Sequence, residues 1–484
     1  MGVESHPLHL FCFPFLAPGH MIPMIDMAKL FAEREARVSI IATPSNASLF
    51  EKTIYRTRCS GHRIEIHCLE FPSSVAGLPD GCENLNDIQS IDNLIDFMKA
   101  VDMFQEPFEQ LVEEHQPDCI ISDLFLPWTL DVADKFAIPR LVFNGTSFFS
   151  LCVTERIQRY APHKNVASDM EAFIVPCLPH SIELTKSQIP DFAKAQSGFV
   201  EFFERVKEAN ARSFGVVMNT FYELEPAYVE HYKMELGRKA WNVGPVSLCN
   251  RNTVDVAERG KKACIGPDDC LKWLDGNTSA SVVYVCFGSL SQFTAPQLLE
   301  IALALEASNR PFLWVVGNSE KLSENEWLPD GFEERMQGKG LIMRGWAPQV
   351  LILNHPAVGV FVTHCGWNST LEAISAGVTM VTWPMFAEQF YNEKLITQVL
   401  KIGVSVGCRV WVLYEEMERP VIRRDQIEKV ITLMMDGGEE AEGMRKRAKE
   451  LGEMANRAVE VGGSSYADMS RLIEELKTYS LKAK

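Results

Sequence analysis

Short apolar segments, each followed by a turn and then a helical pattern, recur in both halves of this chain. Residues 8–13 form one such run, which ends at the break PFLAPGH, and a helical spacing of apolar residues begins at Met21. Residues 281–287 (SVVYVCF) form another, which ends at Gly288 and Ser289. Strands of parallel sheets read as continuous apolar runs because helices cover both faces of the sheet. The alternation therefore predicts an α/β fold with parallel sheets and a Rossmann-like domain in each half.

Further elements follow from the same criteria. Additional strands are predicted at residues 37–43, 119–122, 140–143, 312–316, 341–343, 358–362 and 378–382. A helix is predicted at residues 130–136, and the apolar spacings from Met444 to Ala458 and from Met469 to Leu476 predict two more near the C terminus. We expect an N-terminal domain at 1–250, a linker region at 251–280 and a C-terminal domain at 281–460. A final helix in 461–484 is expected to pack back on the N-terminal domain.

Composition limits the possible partners and location. A chain of 484 residues exceeds what one hydrophobic core usually organises. The net charge of -17 argues against binding to nucleic acids or anionic membranes, and it means that any bound diphosphate must be held by local donors. No run of about 18 apolar residues suggests a membrane span, so we expect no membrane insertion. The 13 cysteines are odd in number and lack a CxxC pair, so we expect free thiols and a cytoplasmic protein. We also expect a monomer.

The predicted strand at 358–362 leads into an unusual polar turn. The turn and the helix after it contain His364, Gly366, Trp367, Asn368, Ser369 and Glu372. A helix N-terminus after a strand presents unpaired backbone N–H groups and a positive dipole end, which suits a diphosphate. An alternative stays open, because Ser369-x-x-Glu372 is also a capping-box pattern whose side chains only satisfy the start of a helix.

The stretch 346–389, WAPQVLILNHPAVGVFVTHCGWNSTLEAISAGVTMVTWPMFAEQ, resembles the donor-binding signature of plant family-1 UDP-sugar glycosyltransferases. The resemblance implies a GT-B fold, in which two Rossmann-like domains face each other across a cleft. It implies that Trp346 stacks on uracil and that Gln349 and Glu372 contact the ribose. It assigns the phosphates to His364, Asn368, Ser369 and Ser289. Taken alone, Trp346 and His364 are also compatible with ordinary core positions.

The remaining donor positions come from the same resemblance. Ala347 and Gly366 belong to the signature, and Trp367 is placed near the sugar. Glu388 and Gln389 can accept and donate hydrogen bonds to adjacent sugar hydroxyls. A glutamine at the end of the signature usually accompanies UDP-glucose in the family, so UDP-glucose is the expected donor.

The expected catalytic pair lies in the other half of the chain. His20 ends the segment PFLAPGH, and family members carry their general base in a similar pattern. Asp123, in CIISDLF, is the matching carboxylate that would orient this imidazole. An aspartate at a strand end could instead cap a helix or pair with an arginine. The implied reaction is an inverting displacement at the anomeric carbon, with UDP as the leaving group. The absence of a D-x-D motif argues against a metal or other cofactor.

The acceptor is less constrained. Phe15, Phe125 and Phe148 flank the catalytic positions and could line an apolar pocket, although each is also compatible with plain core. The segments FNGTSFF and PFLAPGHMIPMIDMAKLF resemble a plant subgroup that glycosylates flavonoids, triterpenoids and other specialised metabolites. The predicted function is transfer of glucose from UDP-glucose to a hydroxyl or carboxyl of such a molecule. The alternatives are a UDP-sugar epimerase of the same architecture and a non-catalytic UDP-sugar-binding protein.

Overall fold

The computed structural model describes residues 7–88, 90–194, 200–251, 253–261, 263, 265–317, 324–412 and 419–483. The described strands are, in chain order, β1 (His9–Phe13), β2 (Arg37–Ala42), β3 (Ile64–Cys68), β4 (Cys119–Asp123), β5 (Arg140–Asn144), β6 (Ala172–Ile174), β7 (Glu183–Thr185), β8 (Gly215–Met218), β9 (Ala240–Asn242), β10 (Val282–Cys286), β11 (Phe312–Val316), β12 (Gly340–Arg344), β13 (Val358–Thr363), β14 (Thr379–Thr382) and β15 (Gly403–Ser405).

The described helices alternate with these strands. They are α1 (Pro18–Ala32), α2 (Pro44–Ser48), α3 (Glu51–Cys59), α4 (Ile91–Asp102), α5 (Gln105–His115), α6 (Thr129–Lys135), α7 (Phe148–Tyr160), α8 (Asp191–Lys194), α9 (Val200–Arg212), α10 (Pro226–Leu236), α11 (Thr253–Ala257), α12 (Pro267–Asp275), α13 (Ala295–Ala307), α14 (Glu324–Trp327), α15 (Phe332–Arg335), α16 (Gln349–Leu353), α17 (Trp367–Ser375), α18 (Gln389–Lys394), α19 (Arg424–Met435), α20 (Glu439–Val459) and α21 (Ser464–Ala483).

Two parallel sheets organise the chain. The first has the order β3-β2-β1-β4-β5-β8-β9 and the second the order β12-β11-β10-β13-β14-β15. Every pairing in both sheets is parallel, whereas β6 and β7 form a separate antiparallel pair. In each sheet the order reverses once, between β1 and β4 and between β10 and β13. Such reversals open a crevice at the carboxyl ends of the strands, where ligands bind in α/β proteins.

The hydrophobic cores follow the two faces of each sheet. In the first sheet, Leu10 and Val38 belong to the cluster that also contains helix α1, whereas Phe11 and Phe13 face a second cluster. One large cluster continues from the first domain into the second, for it contains both Val142 and Tyr284. No helix in the described part of the chain combines the length and the apolar character needed to cross a bilayer.

The last helix returns to the first domain. Met469, Leu472, Ile473 and Leu476 of α21 belong to the same core cluster as Leu10 of β1. The helix also contacts strand β9, at the edge of the first sheet. The chain therefore starts in the N-terminal domain, builds the C-terminal domain and finishes against the N-terminal domain.

The predicted α/β class with two Rossmann-like domains is confirmed. The predicted strands differ from the observed ones by at most two residues at either end. The strands β3, β6, β7, β8, β9 and β15 were not predicted; five of them have only three or four residues, and β3 forms an edge of the first sheet. The region 251–280, predicted as a linker, contains the helices α11 and α12. Helix α17 begins at Trp367, two residues before the predicted start at Ser369.

Leu472 of α21 is fully buried in the core cluster that the helix shares with the first sheet, so truncating its side chain should destabilise the N-terminal domain. We expect Leu472→Ala to lower the free energy of unfolding by about 2–5 kcal/mol, measured by urea denaturation. Leu481→Ala, in the exposed last turn of the same helix, is the matched control and should change it by less than about 0.5 kcal/mol. Equal losses in the two variants would contradict the packing of α21 as a structural element.

Candidate active site at the domain interface

One large cavity of about 1030 Å³ lies where the carboxyl ends of the two sheets face each other. Its volume is at the upper end of what single small-molecule sites enclose, so it has room for two ligands. Both domains contribute to its wall. Of the predicted site residues, those that line it are His20, Phe125, Ser289, Trp346, Ala347, Gln349, His364, Gly366, Trp367, Asn368, Ser369, Glu372, Glu388 and Gln389.

His20 and Asp123 are brought together by the pairing of β1 with β4. Phe13, the last residue of β1, is in register with Ser122, one residue before Asp123. His20 lies in the first turn of α1, and its Nδ1 is 2.8 Å from Oδ2 of Asp123. The other carboxylate oxygen of Asp123 accepts the backbone N–H of Phe125 at 3.0 Å. Asp123 is fully buried, so its orientation is fixed, while 26% of the His20 side chain stays exposed to the cleft.

The environment of His20 suits a general base. An ionised carboxylate only accepts hydrogen bonds, so Nδ1 of His20 carries the proton and Nε2 keeps a free lone pair. Burial is the largest influence on the pKa of His20 and lowers it. The charge of Asp123, its hydrogen bond and the charge of Glu388 together outweigh burial and raise the pKa above 6.5. The rings of Phe15 and Phe125 lie with their centroids 5.5 Å from the imidazole and shape its surroundings.

His364 is held between two glycines at the ends of neighbouring strands. A Cβ atom on Gly288 would lie 2.6 Å from Nε2 of His364, and a Cβ on Gly366 would also overlap this atom. Gly288 moreover has a φ of +74°, which side chains rarely adopt. Burial lowers the pKa of His364 to about 4, so the ring is neutral at physiological pH. Its Nδ1 is buried and has no hydrogen-bond partner among the described residues.

The N-terminus of α17 has no side-chain cap. Its N-cap residue is Gly366, which provides no side-chain hydrogen bond to the first turn. The capping-box alternative is wrong, because Ser369 lies inside the helix and its Oγ accepts a hydrogen bond from Gln349 at 2.9 Å. The free N–H groups and the positive dipole end of α17 therefore point into the cavity, as an anion site requires.

Contacts from the first domain also fix this helix start. Nδ2 of Asn368 donates to the carbonyl of Gly19 at 2.6 Å, one residue before His20. Nε1 of Trp367 donates to the carbonyl of Asn219 at 2.7 Å. Trp367 is thus buried and bonded between the domains, next to the region where the resemblance placed a sugar contact. These contacts set the spacing between the predicted base and the predicted phosphate site.

Arg259, which the sequence did not single out, connects the two walls of the cavity. Its guanidinium pairs with Glu372 of α17, and its Nε donates to Oδ2 of Asp26 in α1 at 2.7 Å. The second oxygen of Glu372 accepts from Nε2 of Gln349 at 2.8 Å. Burial lowers the pKa of Arg259, but the two carboxylates outweigh this and raise it. The next residue, Gly260, packs so closely on Trp346 that a Cβ there would be 2.5 Å from the indole.

Glu388 and Gln389 lie at the start of α18 and face the cavity near His20. Oε1 of Gln389 accepts the backbone N–H groups of Met385 at 2.8 Å and Phe386 at 3.0 Å, so the amide is fixed with its N–H₂ group as the remaining donor. Oε1 of Glu388 accepts from Asn392 at 3.2 Å. Burial raises the pKa of Glu388, and a backbone amide, His20 and Asn392 offset this only in part.

Two predicted acceptor residues lie outside the cavity wall. Phe148 is buried and packs on Tyr232, with ring centroids 5.1 Å apart, and Phe15 is buried behind His20 and Phe125. Phe203 of α9, which was not predicted, lines the cavity together with Phe125. Helical spacing in α9 marks an apolar face but does not indicate what that face contacts, so Phe203 could not be recognised as a cavity residue from the sequence.

Comparison with known proteins identifies the family of this chain. Residues 37–410 match the family described as UDP-glucoronosyl and UDP-glucosyl transferase. The chain belongs to this family. It is 54% identical to the scopoletin glucosyltransferase of Nicotiana tabacum, over 98% of each chain. It is 51% identical to the UDP-glucose flavonoid 3-O-glucosyltransferase 7 of Fragaria ananassa, over 97% of this chain and 96% of that protein.

Solved structures of this family share the fold. Glycyrrhiza uralensis UGT73P12, complexed with glycyrrhetinic acid 3-O-monoglucuronide, has a TM-score of 0.93 and 42% identity, over 99% of this chain and 97% of that one. Phytolacca americana UGT2, complexed with UDP-2fluoro-glucose and pterostilbene, has a TM-score of 0.77 and 26% identity, over 97% and 99%. The predicted family, GT-B fold and enzyme class are confirmed: the protein is a UDP-dependent glycosyltransferase.

The close packing of His364 between glycines generates a test of the phosphate site. In Gly366→Ala the new methyl group would displace the imidazole and disturb the start of α17. We expect UDP affinity to fall at least about tenfold in isothermal titration calorimetry, a loss of about 1.4 kcal/mol. Gly145→Ala is the matched control, because Gly145 lines the same cavity with open space around it. Unchanged UDP affinity in Gly366→Ala would show that the nucleotide does not use this turn.

Proposed function

We propose that this enzyme transfers glucose from UDP-glucose, with inversion at the anomeric carbon, to a hydroxyl or carboxyl group of a small lipophilic plant metabolite such as a flavonoid or a triterpenoid. One observation carries the mechanism. His20, which Asp123 holds from behind, lines the same cavity as the open N-terminus of α17, and the hydrogen bond from Asn368 to Gly19 joins the two. A base and a site for a leaving diphosphate thus lie on opposite walls of one cleft.

The first step is removal of the acceptor proton. A hydroxyl group is a weak nucleophile at neutral pH, so a base must take its proton during the attack. Nε2 of His20 accepts this proton, while the acceptor oxygen forms a bond to C1 of the sugar. The ring becomes an imidazolium ion that Asp123 and Glu388 stabilise through their charges.

The electron pair of the breaking C1–O bond passes to the β-phosphate of UDP. The backbone N–H groups and the dipole of α17, with the side chain of Ser369, stabilise this charge. Because the chain carries a net charge of -17, this stabilisation comes from fixed dipoles rather than from the overall field. The neutral ring of His364 contributes a hydrogen bond and no charge.

The sugar and the acceptor are assigned from the two ends of the cavity. The fixed amide of Gln389 donates and the carboxylate of Glu388 accepts, which supports recognition of adjacent hydroxyls of glucose. Leu124, Phe125 and Phe203 give the acceptor end an apolar wall. The two curated relatives are named for glucosyl transfer to scopoletin and to flavonoids, and UGT73P12 is complexed with a triterpenoid glucuronide. Acceptors of this size and polarity suit the same wall.

We also propose that the protein works as a monomer in the cytoplasm. The cysteines at the twelve described positions are all free thiols, and most are buried. Such a set of thiols is typical of a reducing compartment. Asn368 begins a glycosylation sequon, and its side chain is bonded inside the cleft, where a glycan would block the donor site.

Incubation with UDP-glucose and a panel of phenolic and triterpenoid alcohols, followed by mass spectrometry, tests the reaction directly. We expect acceptors to gain one hexose, and UDP-glucose to outcompete UDP-galactose. Epimerised free donor would support the epimerase alternative, and binding of UDP-glucose without any product would support a non-catalytic binding protein.

Replacing the proposed base separates chemistry from binding. We expect His20→Ala to lower kcat by about 10²- to 10⁴-fold, because the acceptor proton then has no positioned base. UDP affinity should change by less than about threefold, since the proposed nucleotide contacts lie on the other wall. His355→Ala is the control, because His355 pairs with Asp275 away from the cavity. Full turnover in His20→Ala would remove this residue from the mechanism.

The raised pKa of His20 predicts a pH profile. The neutral ring is the active base, so kcat/KM should rise with pH through an apparent pKa above 6.5 and then level off. Asp123→Asn removes the two largest effects that raise this pKa. We expect its profile to shift to lower pH and its plateau to fall about a hundredfold or more. An aliphatic alcohol should serve as acceptor, so that its own ionisation stays outside the measured range. An unshifted profile in Asp123→Asn would contradict the coupling.

A further inference from the structure

The cavity does not end at the catalytic residues but continues between helices α7 and α9. Ser150, Thr154 and Ile157 of α7 and its C-cap residue Ala161 all line it, at the spacing of one helical face. Phe203 and residues 207 and 210 line it from one face of α9. From Ser150 to Ala161 the helix rises by about 16 Å, at about 1.5 Å per residue. The extension therefore runs along the whole of α7.

The floor of this extension, which we call the back channel, is the first sheet. Val142 of β5 and Val216 of β8 both line it. Asn144 marks the carboxyl end of β5, beside the catalytic cleft, whereas Val216 is the second residue of β8. Leu236 and Arg238, just before β9, also line the cavity. The back channel thus leads from the carboxyl ends of the strands to their amino ends, across the full depth of the domain.

The polarity of the back channel changes along its length. Its middle is apolar, with Ile157, Val206 and Val216 on its walls. Its far end is lined by the cations Lys164, Lys207 and Arg238, and two acidic residues, Glu155 of α7 and Glu204 of α9, also line the cavity. Glu155 pairs with Arg156 at 3.3 Å.

Those charges are weakly compensated. Within the described residues, Lys164 and Arg238 have no ion pair, and Lys207 has one contact, at 3.8 Å, with Glu204. Arg238 lies beside the hydroxyl of Tyr232, and Oδ1 of Asn210 is buried with no hydrogen-bond partner in the described part of the chain. Lys164 and Arg238 are thus two lining cations without an ion pair among the described residues, and in a protein with a net charge of -17 such a cavity end is a local exception that favours an anion.

We propose that the back channel is a distal subsite for an elongated acceptor, whose hydroxyl lies at His20, whose apolar body fills the channel and whose anionic terminus reaches Lys164, Lys207 and Arg238. The subsite rests on the proposed glucosyl transfer, since it assumes an acceptor at His20. It selects acceptors by length and by terminal charge, whereas short phenols use only the part of the cavity around Phe125 and Phe203.

A homologous series of probes tests length and charge separately. The probes are 4-hydroxyphenyl alkanes of increasing chain length that end in a sulfonate, each matched by a neutral methyl sulfone. We expect KM to fall as methylenes are added, by up to about fourfold for each one that is fully buried. Sulfonate should be preferred over sulfone at least fivefold at the lengths that reach the far end, and not in the shortest probes. A KM independent of length, or equal values for sulfonate and sulfone at every length, would overturn the proposal.

Variants that remove the cations test whether they cause the preference for sulfonate. The double substitution Lys207→Ala/Arg238→Ala should abolish the sulfonate preference and keep the dependence on length. The matched control is Arg205→Ala/Lys239→Ala, on the same elements, because Arg205 pairs with Asp102 at 3.0 Å and Lys239 with Glu475 at 2.9 Å, outside the cavity. If the control pair removes the preference equally, the effect belongs to overall charge and the subsite is wrong.

A bulky side chain placed in the back channel tests whether long acceptors occupy it. Thr154 lines the channel and is half-buried, so Thr154→Phe should narrow it with little strain on the core. We expect KM for the longest sulfonate to rise at least tenfold and KM for the shortest probe to change less than twofold. Val206→Phe narrows the same channel from α9 and serves if Thr154→Phe is misfolded by circular dichroism. Equal losses for short and long probes in both variants would overturn the proposal.

A binding measurement tests the distal subsite independently of glucosyl transfer. Calorimetric titration of the longest sulfonate into the protein with UDP present measures the back channel without turnover. Absent product with tight binding that Thr154→Phe weakens would contradict the glucosyl transfer and keep the subsite, whereas normal transfer to short phenols with no length dependence would contradict the subsite alone.

Discussion

The reversal of strand order in each sheet is the constraint on which the site depends. Between β1 and β4, and again between β10 and β13, helices leave the sheet in opposite directions and open a crevice. His20 and Asp123 follow the first pair of strands, and Gly288 and His364 follow the second. Hydrogen bonds from Asn368 to Gly19 and from Trp367 to Asn219 connect the two domains and fix the distance between the two crevices. The proposed base and the proposed diphosphate site thus each belong to a separate domain.

The electrostatics of the site are local. The protein is strongly acidic, yet its ligand is expected to carry two negative charges. A helix N-terminus, open glycine turns and fixed amides act over a few ångströms, so they can bind an anion inside a repulsive overall field. On the opposite wall, the negative charges of Asp123 and Glu388 raise the pKa of His20 and so favour its cationic form.

Sequence patterns predicted the parts of the site that depend on local order along the chain. Strand ends, the break before His20 and the turn at His364 could be located because apolar runs and glycines mark them, and the predicted residues of the C-terminal half do line one cavity. Arg259 could not be found in this way, since its role arises from Asp26 and Glu372, far apart in sequence. The back channel could not be found either, because helical spacing shows that a face is apolar without showing whether it meets a protein core or an open space.

The position of Arg259 has a consequence for nucleotide affinity. One of the two oxygens of Glu372 is held by an arginine that is itself tied to the opposite domain, and the other is held by Gln349. A ribose that uses the first oxygen must compete with an intramolecular ion pair, so its apparent affinity is the intrinsic affinity multiplied by the fraction of molecules in which the pair is broken. By the same equilibrium, a nucleotide bound in this way would release Arg259, which Asp26 of α1 also holds, from Glu372 of α17. The donor concentration that such an enzyme needs would then depend partly on the strength of an ion pair within the protein itself.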